Sequence, residues 1–207
     1  MNIDSSHNNF DYIINSINEY KKAIEIIDYE VKKTSHPFNL LGKAVGLILM
    51  SADTENKKDI ETALNALSEF KKHQNLPVAE KFESYANGLL CMINKDYNKA
   101  IELFKPLEVI FSNLGDILPL NLKCYNRNKD FKKAIGLGES HLEKEPYSSP
   151  SVILELTKSY MGISDMNMAN KHLTKLLSIW NDADEEYIHF QEAKELWKEI
   201  NKTKAKA

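Results

Sequence analysis

Three stretches of the chain share one pattern: Asp96–Phe104 reads DYNKAIELF, Asp130–Leu137 reads DFKKAIGL, and Glu19–Ile27 reads EYKKAIEII. In each stretch an aromatic residue stands three positions before an alanine, two polar residues lie between them, and isoleucine follows the alanine. Residues three apart lie on the same face of a helix. The pattern therefore predicts amphipathic helices that recur along the chain.

The alanines of this pattern give the period of the repeat. Two looser copies keep the same spacing, with Ile60 before Ala63 and Met166 before Ala169. The five alanines fall at positions 23, 63, 100, 134 and 169, so their successive separations are 40, 37, 34 and 35 residues. A period near 34 that is made of two helices is that of the tetratricopeptide repeat, and the chain resembles this family.

The resemblance implies an all-α fold, a right-handed superhelical solenoid of antiparallel helix pairs with a C-terminal capping helix. The family has a small residue and then an aromatic residue in the first helix of each pair, and an alanine in the second helix. Small side chains such as those of Gly88 and Ala100 let the two helices approach closely. In the last three repeats these positions fall at Gly88, Cys91 and Ala100, then Leu122, Tyr125 and Ala134, then Thr157, Tyr160 and Ala169. The match covers roughly residues 80 to 183 well and the first 80 residues less closely.

The same register predicts one domain over residues 1–207. It divides into an N-terminal helical segment or degenerate repeat (1–37), an irregular repeat (38–80), three repeats (81–114, 115–149, 150–183), a capping helix (184–202) and a tail (203–207). Pro37, Pro77, Pro146 and Pro150 mark connections between the units. In the irregular repeat the stretch DTENKK predicts a hydrophilic loop, and Pro106 is expected to bend the second helix of the next repeat.

Composition and charge exclude several classes of protein. The formal charge is −3, and the 27 basic residues include a single arginine, Arg127, so we expect no nucleic-acid partner. The apolar runs are shorter than the roughly 20 residues that span a bilayer, so we expect no membrane insertion. No secretory signal is legible at the N-terminus, which favours a cytoplasmic protein with Cys91 and Cys124 reduced.

No catalytic motif occurs in the sequence. Phosphate-binding glycine loops, the HExxH zinc motif and the GxSxG nucleophile motif are all missing, and the six histidines are scattered. Ser140 and His141 are adjacent, but neighbouring helix residues point about 100° apart and are poorly placed to act together. We therefore expect no enzymatic activity, no cofactor and no metal.

The N-terminal segment carries an apolar stripe with two interpretations. Phe10, Ile13, Ile17, Tyr20, Ile24, Ile27 and Val31 alternate at spacings of three and four, which is typical of a coiled-coil seam. A homodimer through Phe10 to Val31 would use this seam. Ile14, Ala23 and Ile26 widen the stripe, which favours packing against the rest of the same chain.

The resemblance also implies a binding site. Solenoids of this kind present the first helix of each repeat on a concave groove. The groove positions we single out are Phe82, Tyr85, Leu89, Met92, Lys123, Asn126, Arg127, Leu154 and Lys158. Such a groove has an apolar half and a basic half, which suits a peptide with apolar anchors and acidic character. The alternative for the apolar positions is that they are core residues.

These observations favour a non-enzymatic adaptor or chaperone that holds a peptide segment of another protein. Small bacterial secretion chaperones of this repeat type are similar. Two alternatives remain open, a scaffold subunit that self-associates through its N-terminal helix and a regulator that senses a peptide.

Overall fold

A computed structural model describes residues 22, 24–26, 28, 29, 36–108, 117–145, 150–181 and 188–204. Within these ranges the elements are helices and turns, without strands, so the prediction of an all-α fold is confirmed. The chain divides into two compact units, Met1–Ile117 and Leu118–Ala207. The division into repeats within one domain stays a prediction. Among the described residues, no helix has the length and apolar composition that crossing a bilayer requires.

The first unit contains four described helices and a 3₁₀ turn. They are α1 (Pro37–Thr54), α2 (Lys57–His73), α3 (Pro77–Ile93), α4 (Tyr97–Phe104) and the turn Lys105–Leu107. Helix α1 packs on α2 and α3, α2 packs on α3, and α3 packs on α4. Among the described elements, helix α3 therefore packs on three other helices.

The second unit is built from helices that follow one another in the same way. They are α5 (Ile117–Arg127, which begins on the last residue of the first unit), α6 (Phe131–Lys144), α7 (Pro150–Gly162), α8 (Met166–Ile179) and α9 (Ile188–Lys204). Helix α6 packs on α7, α7 packs on α8, and α9 packs on both α8 and α7. Residues 184–187 and 205–207 of the predicted cap and tail lie outside the described residues, and α9 continues to Lys204 rather than ending at 202.

Proline marks the start of helices as predicted. Pro37, Pro77 and Pro150 are the first residues of α1, α3 and α7, where proline lacks only an N–H that would have no helical partner. Pro106 lies in the 3₁₀ turn that ends α4, so the helix tightens there and stops at Phe104. Pro146 lies outside the described residues.

The predicted hydrophilic loop over DTENKK is wrong. Helix α1 continues to Thr54 and α2 begins at Lys57, so only two residues connect them. Glu55 adopts a left-handed conformation with φ 50°, and the side chain of Asn56 accepts hydrogen bonds from two backbone N–H groups of the first turn of α2. These two local features turn the chain without a longer loop.

One turn geometry recurs at three places. Lys95, Lys129 and Ser164 have φ of 66°, 61° and 62°, and they stand 34 and 35 residues apart. At each place the N–H of the following aspartate donates to the carbonyl five residues back, at 2.8, 2.8 and 2.9 Å. This is the Schellman ending of a helix. The aspartate then becomes the N-cap residue of the next helix, so each turn joins two helices directly.

Small residues lie where helices come close together. The alanines of the sequence pattern at 63, 100, 134 and 169 are fully buried, and Ala23 lies outside the described residues. A Cβ atom on Gly88 of α3 would lie 2.4 Å from Cε1 of Phe104 of the neighbouring α4, and one on Gly138 of α6 would lie 2.7 Å from Leu156 of α7. The predicted role of Gly88 and Ala100 in close helix packing is confirmed.

The described part of the N-terminal stripe lies against α1. A Cβ atom on Gly46 of α1 would lie 3.2 Å from Cγ1 of Ile24, and one turn later Asp28 forms an ion pair with Lys43. Ile26 is 65% exposed, so it does not widen the packed face as predicted. The other seam residues lie outside the described residues, and the homodimer through Phe10 to Val31 stays a prediction.

Candidate functional site

The four apolar positions predicted to line the groove in α3 lie in the core of the first unit. Phe82, Tyr85, Leu89 and Met92 are 4%, 1%, 0% and 1% exposed. Tyr85 packs edge-on against Phe104 of α4, with ring centroids 5.9 Å apart. The physical reason is that α3 is covered by α1, α2 and α4, which leaves its apolar face closed. The structure corrects the assignment of these residues to an open surface.

Leu154 is also a core residue. It is 1% exposed, within a continuous buried stretch of α7 that runs from Val152 to Thr157. Helices α6, α8 and α9 all pack on α7 and together cover this stretch. The apolar half of the predicted groove is therefore interior in both units.

The basic half of the predicted groove includes two cations on α5. Lys123 is half-buried and Arg127 is exposed, and the two side chains stand one helical turn apart. Residues at this spacing share a helix face. Their arrangement gives α5 a cationic face near its C-terminal end.

Asn126, between these two cations in sequence, is tied to α7. Its side-chain Nδ2 donates to the backbone carbonyl of Glu155 and to Glu155 Oε2, both at 2.9 Å. Its Oδ1 accepts a hydrogen bond of 2.6 Å from the hydroxyl of Ser159. Asn126 therefore uses both its donor and its acceptor atoms inside the second unit, where it positions Glu155.

Glu155 connects Asn126 to Lys158, so two of the predicted site residues meet at one carboxylate. Lys158 Nζ donates to Glu155 Oε1 at 2.6 Å and also lies 2.8 Å from Glu192 Oε1 of α9. Glu155 is 5% exposed, which is unusual for a carboxylate and requires the pairing it has here. We call Asn126, Glu155, Lys158 and Glu192 the Lys158 network.

The charges of the Lys158 network support one another. Burial by itself lowers the pKa of Lys158, but the charges of Glu155 and Glu192 outweigh burial and raise it, so the ammonium group stays charged. Burial by itself raises the pKa of Glu192, but the nearby ring of His189 and the charge of Lys158 lower it to about 2. His189 Nδ1 lies 3.7 Å from Glu192 Oε2.

A second polar cluster joins α6, α7 and α8. One oxygen of Glu139 accepts a 2.7 Å hydrogen bond from the Tyr160 hydroxyl and lies 2.9 Å from His172 Nε2. The rings of Tyr160 and His172 stack with centroids 5.3 Å apart. Burial lowers the pKa of His172 although Glu139 opposes this. The neutral ring donates its Nε2 proton to the carboxylate, and the cluster fixes three helices together.

Sequence reasoning did not single out Glu155, Glu192 or Glu139. For Glu155 a signal existed, because it interrupts the apolar run SVILEL of α7 and stands three residues before Lys158. No comparable signal marks Glu192, since its contact with Lys158 depends on how α9 packs on α7.

Within the described ranges, no group of three or more His, Cys, Asp or Glu side chains is arranged to hold a metal ion. Comparison with known proteins adds no assignment: no protein-family model, no curated protein and no solved structure matches the chain.

Proposed function

We propose that this protein is a non-enzymatic interaction module of tetratricopeptide-like helix pairs that binds a peptide segment of another protein. The pairs would stack as a right-handed superhelical solenoid that α9 closes, and the protein would act as an adaptor or chaperone in the cytoplasm. The observation that carries the proposal is the recurrence of one helix–turn–helix geometry at Lys95, Lys129 and Ser164, at the period of the repeats in sequence. Repeats of this size serve in general to present extended binding surfaces.

The surface we propose for binding is the cationic face of α5. Lys123 and Arg127 lie on it one turn apart, while Phe82, Tyr85, Leu89, Met92 and Leu154 are interior and are left out. Lysine and arginine supply charge-assisted hydrogen bonds to carboxylates. The proposed partner is therefore an acidic segment. The apolar anchors expected from the sequence are left out, because the residues that would receive them are interior.

The test is a selection from a library of random short peptides, followed by affinity measurement on variants. We expect the selected peptides to be rich in Asp and Glu, and we expect Lys123→Glu/Arg127→Glu to lose binding. Lys132→Glu/Lys144→Glu is the matched control, because it makes the same change of charge on exposed lysines of α6. Lys158 is not reversed, since a third carboxylate inside its network would disturb the fold.

Two outcomes would contradict this proposal. One is a selection that yields no peptide above background. The other is equal binding by both double variants and the wild type, with far-UV circular dichroism showing that all three are equally helical.

A second candidate is a scaffold that self-associates through its N-terminal segment. It is favoured by the exposure of Ile26 and Tyr29, which are 65% and 63% exposed, whereas Ile24 lies against α1. Light scattering over a wide range of concentration decides this candidate, because a constant monomer mass would exclude it.

A further inference from the structure

Lys158 Nζ contacts two carboxylates of different origin. Glu155 stands one turn earlier on the same helix and is almost fully buried, with Nζ–Oε1 2.6 Å. Glu192 comes from α9 and its side chain is 42% exposed, with Nζ–Oε1 2.8 Å. The ammonium group therefore has an inner carboxylate and an outer one that faces solvent.

The inner carboxylate is fixed in place. Its Oε1 accepts from Lys158, and its Oε2 accepts from Asn126, whose own Oδ1 accepts from Ser159. Both oxygens of Glu155 are thus committed to partners in the second unit. Because Glu155 balances the charge of Lys158, this pair is neutral before Glu192 is counted.

The outer carboxylate adds a surplus charge. Glu155, Lys158 and Glu192 together carry a formal charge of −1, so Glu192 is not needed to balance the lysine. An ion pair that is partly exposed contributes about 0–1 kcal/mol, which another carboxylate can match. Helix α9 does not depend on it, because Ala193 and Ile200 are fully buried and Phe190 packs edge-on against Trp180, with centroids 6.4 Å apart.

We infer that the outer carboxylate position on Lys158 anchors an acidic residue of the bound partner, and that Glu192 fills this position when no partner is present. Glu192 is then an intramolecular competitor that lowers affinity for acidic segments. The inference rests on the proposed function. It adds a defined contact between the ammonium group of Lys158 and a carboxylate of the partner. Because Glu155 already orients the ammonium group, Lys158 loses little conformational freedom when the partner binds.

The experiment measures the affinity of the selected acidic peptide for the full chain and for Glu192→Gln. The variant removes the competing charge and keeps the shape of the side chain, so we expect binding about two- to fivefold tighter, the range that an ion pair of up to about 1 kcal/mol allows. Glu195→Gln is the matched control. It removes the same charge from an exposed residue of the same helix that pairs with Lys198, and it should leave affinity unchanged.

A second pair of variants tests whether the effect passes through the lysine. In a Glu155→Gln/Lys158→Gln background, which does not leave the buried Glu155 carboxylate without its cation, Glu192→Gln should give no gain in affinity. Equal affinities of Glu192→Gln and Glu195→Gln would overturn the inference, and so would a gain that persists without the lysine. Binding that depends on Lys123 and Arg127 but not on Glu192 refutes this inference alone, whereas failure of the selection to yield a peptide refutes the proposed function and the inference together.

Discussion

Two glycines of helix α6 should respond to alanine in opposite ways. Gly136 is exposed, and a Cβ atom on it would meet nothing within 4 Å. Gly138, two residues later, is buried, and its Cβ would lie 2.7 Å from both Cδ2 and Cγ of Leu156. Leu156 is itself fully buried, and Cγ is not the free end of a side chain, so the contact has little room to relax.

The magnitude follows from two effects. Alanine is favoured over glycine inside a helix by about 1 kcal/mol, and this gain applies to both positions. Overpacking a closed contact costs about 1–3 kcal/mol, and this cost applies to Gly138 alone. We therefore expect Gly136→Ala to raise the free energy of unfolding by about 0.4–1 kcal/mol. The free energy of unfolding of Gly138→Ala should be about 1–3 kcal/mol lower than that of Gly136→Ala.

Equilibrium unfolding in urea, followed by far-UV circular dichroism, measures both variants against the wild type. The two substitutions add the same methyl group to the same helix, so their difference isolates the contact between α6 and α7. If Gly138→Ala stabilises the protein as much as Gly136→Ala does, these helices do not approach closely at this point and the packing described for the second unit is wrong.

Three further predictions concern buried polar groups. Lys158→Met should lower the free energy of unfolding by about 3–5 kcal/mol, because it leaves Glu155 buried without its cation. Adding Glu155→Gln should recover most of the loss in urea unfolding, and no recovery would contradict the pairing of the two residues. Burial lowers the pKa of His172 below its usual 6.5, so protonation favours the unfolded chain and stability should fall as pH drops below about 6.5. The melting temperature of His172→Gln should depend less on pH than that of the wild type, and an equal dependence would refute the role of His172. The buried hydroxyl of Ser51 has no hydrogen-bond partner among the described residues, so Ser51→Ala should be neutral or stabilising. Ser159→Ala removes the hydroxyl proton that Asn126 Oδ1 and the carbonyl of Glu155 share, so it should destabilise by about 1–2 kcal/mol. Equal unfolding midpoints for the two variants would count against these hydroxyl assignments.

The sequence predicted the features that depend on local pattern. Prolines placed the starts of α1, α3 and α7, the alanine pattern placed residues that are fully buried, and Gly88 was expected at a close approach that the structure contains. These predictions are correct because the buried face and the first residue of a helix depend on only a few neighbouring residues of the chain.

Features that depend on how many neighbours a helix has were not predictable in the same way. The sequence pattern of the apolar positions of α3 is compatible with a binding face and with a core. They are core residues because α1, α2 and α4 pack around them. Lys158 was likewise predicted to line the basic half of the groove. Its contact with Glu192 depends on the docking of α9, which lies more than 30 residues further along the chain.

The central claim is that the cationic face of α5 binds an acidic peptide segment. Titration of isotope-labelled protein with the selected peptide, followed by amide chemical shifts in two-dimensional NMR spectra, tests it most directly. If this face binds the peptide, shifts should concentrate on α5 around Lys123 and Arg127 and on α7 around Lys158, with the interior residues Leu89 and Met92 unaffected. Shifts that cluster on other helices, or a saturated complex without shifts on α5, would contradict it.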